Sequence, residues 1–594
     1  MAVQIDFKPN RDLLDPKFES YRLSLDPLPV LKQQLSGGVE SVDLGDDQYG
    51  YLHVRMAGIV NHLFQDSWAP ECVFFASEAH HVFWVKLSQD GKLTKPRIVW
   101  QLPSDSSRPN ANTTISFPCA DWTVVSDGAG GIYLLSTPSR TEGEPWQLCH
   151  TYHVESCYPP CHLLHSVHYN FPSSHQVECL LAHISRPQDV EGNLKLSETT
   201  MHFVCVLEWI SFSSAVGSET VSWNIKRQRR LVGGSFPNYA AIDPAGGALC
   251  LASEREFSFI YDSQKQNDKD EVEKVGDLKP STPPLYTYIQ SLEDITVVFK
   301  IPETITKGDI EVDFHLSSME VKIRGKVVLQ GLLWNNIDVE ASTWTVEETK
   351  LEVILTKKET GLVWQELVKG DSRGEEVLDP ALVEEIHNRL AHLTSENELI
   401  DGSAKPAYNP HQLEECDVSS EFFMFLRLEG DSHHVTHQSN IGGHQWLFQS
   451  MVSPEKLPTL CLRHDVDGLL WQPKNVLSED EPEQFRVEHI ATFPALGFVQ
   501  ASKQDRKYIV GSPDFSYAVL SDNTRHIYIY RQPESLNAAI ELRNRKTGQE
   551  VSSIAKQHVV NLEQCDAILG LQACKHCIFV LSKYVLFAIK INES

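Results

Sequence analysis

Three groups of residues have types and spacings that could do chemistry. His464, Asp465 and Asp467 put an imidazole beside two carboxylates, the set that binds a metal or shares acid–base work in a hydrolytic site. The opposing reading is a strand-edge turn whose carboxylates cap backbone N–H groups. Cys574-Lys575-His576-Cys577 has half of a zinc knuckle's spacing, and Cys157, Cys161 and His162 are the nearest second half. Buried or turn thiols are the simpler account, so no metal and no cofactor is expected. His433, His434, His437 and His444 lie among Gly430, Gly442 and Gly443, which signals a mobile loop. No Gly-rich loop runs into Lys and Ser/Thr, and no G-x-S-x-G elbow occurs, which disfavours an ATP-using enzyme.

Composition narrows the partners. With 594 residues the chain exceeds what one core supports, so two or more domains are expected. A formal net charge of -28 repels phosphate backbones, which argues against direct nucleic-acid binding. The compact basic run Lys226, Arg227, Arg229 and Arg230 reads as a solvated strand end or loop, with a nuclear import signal as the alternative. No run of about 18 apolar residues appears, so no membrane partner is expected. The start lacks the pattern of a signal peptide, which places the chain in the cytoplasm with its 13 cysteines reduced.

The elements that must position these residues repeat along the chain. Trp122-Thr123-Val124-Val125-Ser126-Asp127, with its turn and Ile132-Tyr133-Leu134-Leu135, matches Tyr517-Ala518-Val519-Leu520-Ser521-Asp522 with Ile527-Tyr528-Ile529-Tyr530. Weaker copies start at Val73, Tyr239 and Ile578. Asp, Asn and Gly close such hairpins because they accept turn dihedrals that β-branched residues reject. Apolar runs on both sides of each turn imply strands buried on both faces, as β-propeller blades are. Copies lie on both sides of the middle, so one interrupted propeller is expected, with a pair of ordinary sandwiches as the alternative.

The interruption has its own pattern. Residues 263–279 are charged and apolar-poor, which reads as a linker. Between 280 and 372, Ile295, Val297, Phe299 and Ile301 alternate with polar or outward residues, and Ile310, Val312, Phe314 and Leu351, Val353, Leu355 repeat this. Short half-buried strands of this kind make a small sandwich. Asp379 and Pro380 start a helix within 373–394, with Leu382, Ile386, Leu390 and Leu393 on one stripe, and 395–420 is a second linker. The expected organisation is all-β: residues 1–262 and 421–594 form the propeller and 280–372 the inserted sandwich.

At Pro284-Leu285-Tyr286-Thr287-Tyr288-Ile289-Gln290, Gly331-Leu332-Leu333-Trp334-Asn335-Asn336-Ile337, Ser342-Thr343-Trp344 and Trp364 the chain resembles the CS domain of the NudC family. That domain is related to small heat-shock proteins and to a co-chaperone of the ninety-kilodalton heat-shock chaperone. The family usually has Trp where Tyr288 stands. The likeness continues outside the sandwich at Leu13-Leu14-Asp15-Pro16-Lys17-Phe18-Glu19, Cys461-Leu462-Arg463-His464-Asp465-Val466-Asp467 and Gly497-Phe498-Val499-Gln500-Ala501-Ser502-Lys503.

The resemblance implies a cytoplasmic protein, with the nucleus also open, that assists chaperone handling of clients and has no ATPase of its own. Its partners would be chaperone machinery and client proteins. Expected contacts on the sandwich are Tyr288 and a positive cluster of Lys322, Arg324, Lys357 and Lys358, with guarding of edge strands as the alternative role of these cations. The competing function is a propeller hydrolase with His464 and its neighbouring Asp residues at a central site.

Overall fold

The computed structural model describes the chain outside residues 104–111, 191–200, 216–221, 266–284, 377–422, 477–483, 534–541, 544–549 and scattered interruptions of one to three residues. It separates into two compact units, Met1–Asn267 with Tyr408–Ser594, and Asp268–Ala407.

In the first unit, seven four- or five-stranded sheets occur among the described residues. We number these blades in the order of their inner strands, which are Phe64–Gln65, Thr114–Ser116, Cys161–Phe171, Tyr239–Ile242, Trp446–Ser450, Arg506–Gly511 and Ile568–Ala573. A strand's side chains alternate between its two faces, and here each face meets a different blade. Val73 and Phe75 of blade I pack with Phe579 and Leu581 of blade VII, while Cys72 and Phe74 pack with Val125 and Tyr133 of blade II. The same arrangement joins blades II to III, III to IV, IV to V, V to VI and VI to VII. Seven cores close a ring, which is why Cys72–Ala76 and Cys577–Ser582 are buried throughout.

The repeats recognised in sequence are the middle hairpins of blades I, II, VI and VII. The copy at Tyr239 differs, because it forms the two inner strands of blade IV. That blade is completed by Met424–Glu429 and Val435–Asn440, from beyond the insertion. Phe257–Asp262, just before the insertion, instead adds a fifth strand to blade III.

The first 34 residues run along the outside of the ring. Val3–Gln4 adds to blade IV, Tyr21–Leu23 to blade VI, and Val30–Gln34 supplies the outer strand of blade VII. The chain then crosses the face on which the inner strands begin. Val39 bridges Ser77 of blade I, Glu40 accepts from the Thr113 N–H at 2.9 Å, and the Gln48 amide donates to Pro159 O at 2.7 Å. The helix Tyr51–Gly58 ends this crossing by burying Leu52 and Met56 against blades III and IV.

Burial raises the Glu40 carboxyl to about 7, despite the bond from Thr113. A carboxyl protonated more readily in the folded state costs stability as pH rises from its ordinary value to its folded one. Glu40→Gln keeps an acceptor for Thr113 and removes that cost. The variant is expected to be more stable than the native chain at pH 8 by roughly 2–3 kcal/mol, with the difference vanishing near pH 4. Chemical denaturation at the two pH values checks this.

The basic run is exposed only at Lys226. It lies within the strand Trp223–Gly233, where Arg229 and Arg230 are buried against Glu178 and Glu208. Arg227 binds Asp262 at 2.5 Å and also Asp431, so this run staples blades III and IV. Buried guanidinium groups need such carboxylates to offset lost hydration.

In the second unit, a sheet of Ile337–Glu347, Lys350–Lys357, Asp294–Lys300, Tyr286–Gln290 and Gly374–Glu376 faces a sheet of Ile310–His315, Ser318–Ile323 and Lys326–Leu332. The alternating residues Ile295, Val297 and Phe299 and Leu351, Val353 and Leu355 fill the core between them, with Trp364. Residues 374–376 correct the expected boundary: they pair in parallel with Tyr286–Tyr288 as a strand, where a helix was expected from 373. The helix signal at Asp379 and both linkers beyond Lys265 fall outside the described residues.

Candidate binding surfaces

The seven inner strands surround a central cavity of about 850 Å³. Its mouth on the strand-start face is built from the segments that lead into those strands. Arg55 of the crossing helix donates to Asn238 Oδ1 ahead of blade IV. Tyr508 Oη donates to Val60 O at 2.8 Å and to Leu569 O at 2.9 Å. Lys507 Nζ donates to Ile568 O at 2.7 Å, and burial pushes this ammonium down from its ordinary value. Gln500, His444 and Arg506 line the same mouth. The opposite mouth is edged by Phe117, Met451, Val452, Pro454 and Pro513, from loops that follow the inner strands.

His464 and Asp465 lie at the hairpin between Thr459–His464 and Asp467–Val476, and both are exposed. Asp465 has φ 53, a left-handed turn conformation that Asp tolerates. Asp467 is committed to the backbone: its Oδ1 accepts the Ala495 N–H at 2.6 Å. Burial raises this carboxyl above its ordinary value. The three groups therefore build a capped turn.

The histidine-rich stretch is a loop at His433, His434 and His444 and a strand at His437. Val435–Asn440 is a blade strand carrying His437. His433 stacks on Phe259 with centroids 4.2 Å apart, and its Nε2 meets Asp262 Oδ2 at 2.8 Å. Cys574 and Cys577 close the turn of a blade VII hairpin, where the Cys574 N–H donates to Cys577 O at 2.8 Å. Among the described residues, no group of three or more His, Cys, Asp or Glu is arranged to hold a metal ion.

On the sandwich the expected positive cluster does not assemble. Lys357 is 2% exposed, and its Nζ donates to Gln290 Oε1 at 3.1 Å and to Ser291 O at 2.7 Å. Tyr288 is buried in the core beside Tyr286. Strand alternation explains both, since Tyr288 shares a face with Tyr286 and Lys357 one with Leu355 and Val353. Lys358 is exposed, its N–H bonded to Asn336 O near the Leu316 turn. Lys322 and Arg324 sit at the other end of the strand that leaves that turn, paired with Glu320 and with Asp309. Sequence reasoning missed the cationic mouth, because Arg55, Arg506 and Lys507 come from segments that meet only when the ring closes.

Residues 284–357 match the CS domain family model. Together the sandwich and the seven-bladed ring define an all-β protein with a CS domain inserted into a propeller. The chain is 38% identical to mouse NudC domain-containing protein 1 over all of this chain and 99% of the relative. It is 37% identical to the Xenopus laevis protein over the full length of both. The chain belongs to the NudC domain-containing protein 1 family. The chain is also similar to the solved nuclear movement protein from E. cuniculi GB-M1, at 27% identity over 14% of this chain and 98% of that one, with a TM-score of 0.13.

Proposed function

We propose that the protein is a non-enzymatic adaptor of the co-chaperone type, holding partner or client proteins through its propeller and its CS sandwich in connection with the ninety-kilodalton heat-shock chaperone. The observation that carries this reading is the full-length likeness to a family defined by its CS domain. The polar groups best suited to catalysis support it, because Asp467 is committed to a backbone cap and His433 to a structural hydrogen bond with Asp262. The expected site of action is the cytoplasm, with the nucleus also open.

The test is association of the purified full chain with the purified chaperone, measured by calorimetry, alongside suppression of aggregation of a heat-unfolded reporter enzyme. Both activities are expected without added nucleotide and unchanged by EDTA. Replacing Asp268–Ala407 with a short Gly/Ser linker should remove association with the chaperone. Failure of the intact chain in both assays would refute the adaptor reading, and loss of either activity on adding EDTA would point to a metal site.

A further inference from the structure

We propose that the strand-start mouth of the propeller is a binding site for an acidic, apolar-flanked peptide segment of a partner protein. The inference rests on the adaptor reading and adds to it the place and the chemistry of recognition.

Charge is the first argument. The whole chain carries -28, yet Arg55, Arg506 and Lys507 converge on this mouth, where Glu254 is the carboxylate among the described lining residues. Arg55 and Lys507 hydrogen-bond neutral oxygens, of Asn238 and Ile568, and neither has a carboxylate partner among the described ion pairs. Cations elsewhere on the propeller are used differently: Arg140, Arg227, Arg229 and Arg230 each meet an Asp or Glu of the same unit. Half-buried positive groups facing neutral oxygens leave net attraction for an arriving anion, and an otherwise acidic surface focuses that attraction on the mouth.

Peptide character is the second argument. Gln500 is 4% exposed and lines the cavity, and its Oε1 has no donor among the described residues. A buried amide oxygen without a partner costs free energy, which a peptide N–H entering the mouth would recover and a simple anion would not. Apolar side chains stand exposed on the same face: Ile59 on the cavity lining, Phe498 two residues before Gln500, and Val466, whose carbonyl accepts the Phe498 N–H at 3.1 Å. An acidic segment carrying large apolar residues satisfies all three features, with carboxylates at Arg55 and Lys507, backbone at Gln500 and apolar side chains at the rim.

The experiment uses the full chain and fluorescence anisotropy with a short labelled peptide alternating Glu with Leu and Phe. Its counterpart with Lys for Glu and an inorganic tripolyphosphate competitor form the other arms. Binding of the acidic peptide is expected to weaken with salt. Arg506→Glu and Arg55→Gln, whose amide can keep the bond to Asn238, should each weaken it roughly tenfold, and Phe498→Ser severalfold, with unchanged melting temperatures. Lys322→Glu on the sandwich should have no effect.

Equal binding of the Lys peptide, or unchanged affinity in both Arg506→Glu and Arg55→Gln, would overturn the assignment. So would displacement by tripolyphosphate combined with no effect of Phe498→Ser, since the ligand would then be a small anion. Association with the chaperone is measured in the same variants. If the intact chain keeps that association but binds no acidic peptide, the mouth assignment alone fails, whereas failure of the intact chain in both the chaperone and the aggregation assays refutes the adaptor reading.

Discussion

Expressed separately, residues 1–262 and 421–594 are expected to be insoluble or to melt without a cooperative transition, and to recover one sharp transition when co-expressed. Blade IV is divided by the insertion, with Ala248–Ser253 on one piece and its partner Met424–Glu429 on the other. Blade VII would lose Val30–Gln34, its outer strand. Contacts across the cut include Asp262 with His433 and Asp243 with Arg427. Separation would expose Phe425, Leu426, Leu428, Leu249 and Leu251, all buried in the folded ring. At roughly 1.5–3 kcal/mol for each large side chain, that loss approaches the whole stability of an ordinary domain, about 5–15 kcal/mol. Sedimentation and calorimetry check the outcome. Two halves that are each monomeric, compact and sharply melting would show that the ring is not one cooperative body.

The ion group at the cut also sets a pH dependence. Burial pushes the Asp262 carboxyl up, but bonds from Arg227, the Gln264 N–H and His433 outweigh it and hold the group well below the ordinary carboxylate range. A depressed carboxyl contributes stability above its unfolded value, and that contribution is lost as pH falls toward the folded one. Acid therefore loosens the junction between blades III and IV, which is where the chain leaves for the insertion.

Much of the architecture was legible because its causes are local. The turn residues Asp127 and Asp522 each accept backbone N–H bonds within their own hairpins, at 2.8 Å from Ala129 and 2.9 Å from His526. Such a motif recurs visibly along the chain wherever a blade repeats. Blade number was not legible, because blade IV takes strands from segments 171 residues apart, Ser253 and Met424 being the ends nearest the cut. The site was less legible still. A strand shows which residues alternate, but Lys357 broke the rule that long cations face solvent, by folding its ammonium onto Gln290 and Ser291. The basic run misled for the same reason, since Glu178 and Glu208, which neutralise it, lie on other strands of blade III. Where a charge is buried, its explanation is a partner remote in sequence.

Lys357→Glu should accordingly abolish or strongly lower the thermal transition of the sandwich while Lys358→Glu leaves it in place. The Lys357 ammonium donates to two oxygens and lies 5.9 Å from the Trp364 ring centroid. Gln290 Oε1 also accepts the Trp364 N–H at 2.8 Å, so this lysine helps fix the segment that carries the largest buried side chain of the sandwich. A glutamate there would turn a buried donor into an acceptor facing two more acceptors, with no cation to compensate. Breaking a buried charged network in this way costs on the order of 3–5 kcal/mol. Lys357→Met, which keeps the aliphatic stem but leaves Ser291 O short of a donor, should cost less, about 1–3 kcal/mol. Calorimetry of the full chain resolves the effect if the transition assigned to the sandwich is the one that moves. Were Lys357→Glu to melt like the native chain and only slow the encounter with an acidic partner, Lys357 would belong to the surface after all.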